Sequence, residues 1–402
     1  MSAVKTLDEL ECAGRRVIVR TDLNVPMQAG TVTDATRLDA AAVTLVELAR
    51  SGARVIVMSH LGRPGGRVDP ALSLRPLVGP LSRAADGIRV RFAEDCVGPA
   101  AAEAVAGLAP GEMVLLENLR FHAGEEANDP AFAAGLAELG DVYVNDAFSA
   151  AHRAHASIEA ITRLLPCYAG RQMRAELDAL AAALESAQRP LTAIVGGAKV
   201  STKLAVLGNL VRRADRLIIG GGMANTFLHA RGIGIGCSLA ERDLAAEARA
   251  IEEQARSCGC ELLLQEDAVV AARLAPNAEV ETVPVTAVPA DRMILDVGLA
   301  SRAAFGAAIA TSRTVLWNGP LGAFETPPFH EGTVEVARAL ARRCEGGGTL
   351  AVAGGGDTVA ALALAGVTDR LDYVSTAGGA FLEWLEGRTL PGVAALEVSG
   401  SP

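Results

Sequence analysis

Gly196-Gly-Ala-Lys-Val-Ser-Thr-Lys203 follows directly on an apolar run, Leu191-Thr-Ala-Ile-Val195. The run predicts a buried parallel strand. Beyond the glycines, Leu204, Leu207, Leu210 and Val211 recur at helical spacing and predict a helix over Ser201–Arg213. A strand, a glycine turn and a helix N-terminus converge unpaired backbone N–H groups and a helix dipole on one point, which is an anion site. Lys199 and Lys203, spaced as neighbours on a helix face, add two point charges. All the other basic residues except Lys5 are arginine. A compact, flexible ammonium suits a moving phosphoryl group where Arg would impose a rigid fork. The stretch lacks G-x-x-x-x-G-K-[ST], which argues against a P-loop NTPase.

Outward from this strand the same pattern repeats. In the first half the apolar runs are Val17–Arg20, Arg54–Met58, Ile88–Phe92, Met113–Glu117 and Val142–Val144, with a weaker one near Cys167. In the second they are Leu191–Val195, Arg216–Ile219, Glu261–Leu264, Thr314–Trp317, Thr349–Ala353 and Asp372–Val374. Alternation with helical patterns predicts an α/β protein of two Rossmann-like domains, each a parallel six-stranded sheet covered by helices on both faces. Arg171 to Gln188 places Met173, Leu177, Leu180, Ala181 and Leu184 on one face, which predicts a long connector helix. The expected domains are 1–170, the helix 171–188, and 189–387, with 388–402 packing back on the first.

Composition narrows the function classes. Half of the 402 residues are hydrophobic and 21% are charged, as in a globular protein with an ample core. A net charge of −10 argues against nucleic-acid binding. No apolar stretch approaches the ~18 residues of a membrane span. The opening residues do not read as a signal peptide, and the seven scattered cysteines read as reduced thiols, so a cytoplasmic protein is expected.

In open α/β sheets, ligands bind beyond the carboxyl ends of strands. Those positions hold Thr21-Asp-Leu-Asn-Val-Pro26, Ser59-His-Leu-Gly-Arg-Pro64, Asn118-Leu-Arg-Phe121 and Asn145-Asp-Ala-Phe-Ser-Ala-Ala-His-Arg153. They deliver Asp22, Asn24, His60, Arg63, Arg120, His152 and Arg153 to one edge, where Arg37 can join them. Singly, the Asp and Asn read as turn formers, the histidines as structural and the arginines as surface residues. Together they read as a site for a small polyanion, because Arg forks match carboxylate and phosphate oxygens.

The second half repeats the theme with glycine: Gly220-Gly-Gly-Met-Ala224, Asn318-Gly-Pro-Leu-Gly-Ala-Phe-Glu325, Gly354-Gly-Gly-Asp-Thr358 and Ser375-Thr-Ala-Gly-Gly-Ala380. Glycine lets backbone approach a ligand closely and presents N–H groups to phosphate. Asp357 reads as an N-cap, as a ligand to Mg²⁺ riding on nucleotide phosphates, or as both. Glu325 can accept from a ribose hydroxyl. An arginine-lined half and a glycine-lined half imply phosphoryl transfer, with closure of the halves to expel water. Gly232-Ile-Gly-Ile-Gly236 has neither the spacing nor the preceding strand of a dinucleotide-binding turn, and no H-E-x-x-H or Ser-His-Asp arrangement occurs.

Taken together, Arg16-Val-Ile-Val-Arg-Thr-Asp-Leu-Asn-Val-Pro26, Ser59-His-Leu-Gly-Arg-Pro64, Glu117-Asn-Leu-Arg-Phe121, Ala151-His-Arg-Ala-His155, Gly354-Gly-Gly-Asp-Thr358 and Leu390-Pro-Gly392 resemble the phosphoglycerate kinase family over nearly the whole chain. The resemblance implies a monomer of two hinging domains and reversible phosphoryl transfer from 1,3-bisphosphoglycerate to ADP, giving 3-phosphoglycerate and Mg-ATP. It implies a 3-phosphoglycerate site of Asp22, Leu23, Asn24, Arg37, His60, Leu61, Gly62, Arg63, Arg120 and Arg153. The implied nucleotide site is Lys203, Gly298, Glu325, Gly355, Gly356, Asp357 and Thr358, with Asp357 towards Mg²⁺. Arg37, Lys199 and Gly378 resemble the residues that steady the transferring group. Thr21, Leu23 and Leu299 depart from the family pattern as packing changes. Ala377 replaces the first glycine of a triplet, which matters if that position needs positive φ. A non-catalytic nucleotide-binding protein of the same fold is the alternative; it would be expected to lack Lys199, Arg37 or Asp357, and all three are present.

Overall fold

The computed structural model describes residues 4–399. The chain divides into two compact units, one running to Leu177 and resuming at Thr389, the other spanning Asp178–Arg388.

In the first unit, β1 (Arg16–Arg20), β2 (Arg54–Met58), β3 (Val90–Phe92), β4 (Met113–Leu115), β5 (Val142–Asn145) and β6 (Cys167–Ala169) form one six-stranded sheet in the order β3-β4-β2-β1-β5-β6. All the pairings are parallel. Val17, Val19, Val55, Ile56 and Val57 are completely buried, as expected where helices cover both faces. The weak run near Cys167 is a true strand, paired with β5 through Tyr143 and Cys167. The order reverses at β1, which has β2 on one side and β5 on the other. The segments leaving β1, β2, β4 and β5 therefore share one edge.

The second unit repeats the plan. Here β7 (Leu191–Val195), β8 (Arg216–Ile219), β9 (Glu261–Leu263), β10 (Thr314–Asn318), β11 (Leu350–Gly354) and β12 (Tyr373–Ser375) run in the order β9-β8-β7-β10-β11-β12. The reversal falls between β7 and β10, so the glycine segments after those strands flank the crevice of a doubly wound sheet. The sequence reading assigns no element to the antiparallel three-stranded sheet of Asp267–Ala271, Glu281–Pro284 and Met293–Val297. Glu281–Pro284 buries only one side chain, so its alternation is too weak to register.

Two helices differ from expectation. The helix after β7 spans only Leu204–Leu210, because the Ser201 N–H and hydroxyl are held by Glu241, forty residues away, and the chain turns there instead. Lys199 and Lys203 therefore both precede the helix. The expected Arg171–Gln188 helix is α-helical over Arg171–Leu180 and π-helical over Ala181–Glu185, ending where the Ser186 N–H bonds back to Ala181. Met173, Leu177, Leu180 and Leu184 are buried along it. The terminal helix, Pro391–Ser399, is anchored by the Gly392 N–H on the Ala151 carbonyl. None of the seven cysteines is joined in a disulfide. Among the described residues, no helix is long and apolar enough to cross a membrane.

Candidate active site

At the shared edge of the first sheet, backbone turns and side chains lock into one chain of hydrogen bonds. Arg37, in the first turn of the helix Thr36–Arg50, donates from Nη1 to Asp22 Oδ2 at 2.7 Å and to the Asn24 carbonyl at 3.2 Å. Asp22 also accepts from the Asn24 N–H and the Ser149 hydroxyl. Asn24 Oδ1 accepts the Gly62 N–H at 3.0 Å, and the Gly62 carbonyl accepts Arg120 Nη1 at 2.7 Å. Asn118 braces Leu61 and Leu72 from beneath. Four strand ends are thus joined through Asp22, Asn24, Gly62, Arg120 and Ser149. Burial alone would raise the Asp22 carboxyl; the Arg37 charge and the hydrogen bonds from Ser149 and Asn24 outweigh it and hold it below its usual range.

One contributor was not legible in the sequence. Arg20, the last residue of β1, is completely buried. It donates to the Ser157 hydroxyl at 3.0 Å, the Thr21 carbonyl at 2.6 Å and His60 Nδ1 at 3.0 Å. A guanidinium has no acceptor, so His60 Nδ1 must accept and Nε2 carries the ring proton. Burial and then the Arg20 charge push His60 well below the ordinary imidazole value. His60 is therefore a neutral hydrogen-bond donor. Arg153 donates to His152, and its charge bears on Arg120. Arg63 is exposed and has no side-chain hydrogen bond or ion pair among the described residues. Leu23 is completely buried, with its N–H on the Ser59 hydroxyl, so it acts through packing.

In the second unit the loops after β7 and β10 meet backbone to backbone. A Cβ at Gly196 would overlap the Pro320 carbonyl, so only glycine fits there. Lys203 lies under this junction and donates to the Gly196 carbonyl at 2.6 Å and the Asn318 carbonyl at 3.2 Å. Burial pushes its ammonium down to about 8, partly opposed by Asp357. Lys199 is exposed, on the solvent side of the same loop.

A cavity of about 490 Å³ opens beside these loops, a size typical of small-ligand sites. Its walls include Gly197, Gly221, Leu239, Leu274, Met293, Phe324, Glu325 and Asp357. The sequence reading missed the apolar walls, where Leu239 and Leu274 stand 59% and 52% exposed. Gly355 (φ +98°) and Gly356 start the helix Gly356–Ala365, on which Asp357 is exposed. The Thr358 hydroxyl is occupied internally: it accepts the Gly319 N–H and donates to the Gly354 carbonyl. Gly298 packs on the Asp267 carboxylate and is not among the residues lining the cavity. Gly378 starts the helix Gly378–Leu385, and Ala377 before it has φ −87°, which alanine adopts without strain.

One doubly wound unit thus gathers arginines at its switch point, and the other opens a glycine-walled cavity at its own. A model of the phosphoglycerate kinase family matches residues 7–388. The phosphoglycerate kinase of Methylorubrum extorquens is 59% identical over 401 residues, covering 100% of both chains. That of Cereibacter sphaeroides is 56% identical over 394 residues, covering 98% of this chain and 99% of its own. The phosphoglycerate kinase structure from Coxiella burnetii superposes with a TM-score of 0.92 at 38% identity, covering 99% and 100% of the two chains. The one from Pyrococcus horikoshii gives 0.83 at 30% identity, covering 98% and 99%. The chain belongs to the phosphoglycerate kinase family. Its reaction is reversible phosphoryl transfer from 1,3-bisphosphoglycerate to ADP, giving 3-phosphoglycerate and ATP.

Proposed function

We propose that the first unit binds 3-phosphoglycerate through Asp22, Asn24, Arg37, His60, Gly62, Arg63, Arg120 and Arg153, with Leu23 and Leu61 shaping the turns. The second binds nucleotide through Lys203, Glu325, Gly355, Gly356, Asp357 and Thr358, with Gly298 acting through the Asp267-capped helix it precedes. The observation that carries this reading is the Arg37–Asp22–Asn24–Gly62–Arg120 chain, which fixes two guanidinium groups that keep further N–H donors to offer. Preorganised donors lose little on reaction.

No general base is required. The attacking β-phosphate oxygen of ADP is already ionised near neutral pH, and His60 is held neutral as a donor. The protein must align two anions and neutralise charge on the moving group. Arg37 from one unit, Lys199 and the Gly378 N–H from the other would do this on closure, which also excludes water. Asp357 is an exposed oxygen donor in the cavity wall, and Mg²⁺ is usually held by one or two carboxylates together with phosphates and waters. Asp357 therefore fits the ion, which when bound neutralises phosphate charge. A cytoplasmic location accords with thiols that form no disulfide.

Calorimetric titration with each substrate alone tests the division of roles. Arg63→Ala and Glu325→Ala both alter exposed side chains, so folding is not at stake. The first is expected to weaken 3-phosphoglycerate alone and the second nucleotide alone. The reverse assignment, or equal effects on both ligands, contradicts the reading.

A further inference from the structure

We propose that Asp95, Cys96 and His122 form a binding site for a divalent ion of the zinc or cadmium class. Asp95 and Cys96 follow β3, and His122 closes the short turn Leu119–Phe121 after β4, the strand paired with β3. Two neighbouring strand ends thus bring a carboxylate, a thiol and an imidazole together, with one ligand atom from each lying within 4.8 Å of the others. None of the three has a role in the phosphoryl transfer derived above.

The geometry is that of a cup with an open mouth. The His122 and Asp95 side chains are 33% and 42% exposed, whereas Cys96 is completely buried and forms the floor. His122 Nε2 stands 2.6 Å from Asp95 Oδ1, and the Cys96 N–H donates to the same oxygen at 2.7 Å. The imidazole stacks on Phe132, with centroids 5.1 Å apart and planes at 27°, which fixes its orientation. Outer contacts of this kind orient a metal-binding histidine. Nitrogen, oxygen and sulfur donors, two of them on partly exposed side chains, match Zn²⁺, or Cd²⁺ with its preference for thiolate, and do not match Mg²⁺ or Ca²⁺. On binding, the Cys96 thiol releases its proton to solvent and the thiolate becomes a ligand; the His122 proton moves from Nε2 to Nδ1. No electron is transferred.

Occupancy would reach the 3-phosphoglycerate cup, a consequence that rests on the role proposed for Arg120. Donors at about 2.0–2.1 Å from a tetrahedral ion lie roughly 3.3 Å apart, so the present His122–Asp95 contact must open. Arg120 lies two residues before His122 and is held to the Gly62 carbonyl and Glu126. Moving the turn disturbs that hold.

Titration of the full chain with Co²⁺ as a spectroscopic stand-in, followed by Zn²⁺ competition against a chromophoric chelator, tests the site without reference to activity. Expected is one equivalent with a thiolate-to-cobalt charge-transfer band. Cys96→Ser, Asp95→Asn and His122→Gln should each weaken binding by about 100-fold or more, beyond the usual outer-contact loss. A control changing the exposed Cys237 and Cys258 to Ser should keep the band. Absence of the band, or its loss in the control with retention in Cys96→Ser, overturns the site. If Cys96→Ser fails to fold, the half-exposed Asp95→Asn decides: unchanged affinity there overturns it equally. Zn²⁺ that binds and leaves the KM for 3-phosphoglycerate unchanged overturns the coupling to Arg120, separately from the site.

Discussion

Lys203 Nζ lies 2.6 Å from the Gly196 carbonyl oxygen and 3.2 Å from that of Asn318, so one ammonium ties together the ends of β7 and β10, where the strand order reverses. It is a brace as well as a charge. Its folded value of about 8 lies below the ordinary 10.5. Between those values the unfolded chain binds more protons, so this group makes stability rise with pH across the window. Its charge, however, is lost above about pH 8. Nucleotide affinity is expected to fall there in the parent, and to be weak but flat with pH in Lys203→Gln. Calorimetry with ADP from pH 7 to 9.5 checks this; parallel pH profiles would contradict it.

Gly355 and Gly356 are neighbours with different reasons to be glycine. At Gly355, φ is +98° and a Cβ would stand 2.7 Å from Asn318 Nδ2; at Gly356 a Cβ meets nothing within 4 Å. Gly355→Ala is expected to destabilise by about 1–3 kcal/mol, the range for strained backbone. Gly356→Ala should leave the melting temperature unchanged and weaken nucleotide, because the open space is where phosphate would approach. Thermal melts with and without ADP separate the two.

Asp22 holds Arg37 and the Asn24 turn at once, with 14% of its side chain exposed. Asp22→Asn removes the charge and keeps the shape. It is expected to raise the KM for 3-phosphoglycerate by at least about tenfold, since a charge-assisted hydrogen bond is worth roughly 1.5–3 kcal/mol. The KM for ATP should not move. A change confined to the nucleotide would contradict the placement.

His60 is expected to be neutral, protonated on Nε2, throughout pH 6–8. Imidazole ¹⁵N shifts read this directly, and a titration near 6.5 would contradict it. Burial likewise pushes His155 down to about 4. Below 6.5 the unfolded chain takes up protons that these two residues refuse, so their contribution lowers stability on acidification from 6.5 towards 4. The buried Asp146 and Asp296 carboxyls, raised to about 7, act in the opposite direction, so the readout is a difference: the urea midpoint of His155→Gln should fall less, or rise more, between pH 7 and pH 5 than that of the parent.

Much of this was legible in the sequence because parallel sheets put ligand-binding residues at strand ends: Asp22, Asn24, His60 and Arg120 could be read from position, and Gly62 from the family resemblance. What escaped depended on distant contacts. Arg20 ends an apolar run, and its burial makes sense only with Ser157 and His60 in place. The helix expected from Ser201 starts three residues later because Glu241 captures the Ser201 N–H. The cavity walls at Leu239 and Leu274 come from segments with no strong periodicity, outside any helix or strand.

The most direct test is 3-phosphoglycerate-dependent ADP release from Mg-ATP, coupled to removal of 1,3-bisphosphoglycerate, for the parent and Lys199→Ala. Lys199 is exposed, and the function proposed above places it on the transferring group. Expected is robust turnover in the parent and a kcat lowered by about 10²–10³ in the variant, with nucleotide affinity nearly unchanged. A parent without product, or a variant that loses affinity and turnover in equal measure, would contradict the assignment.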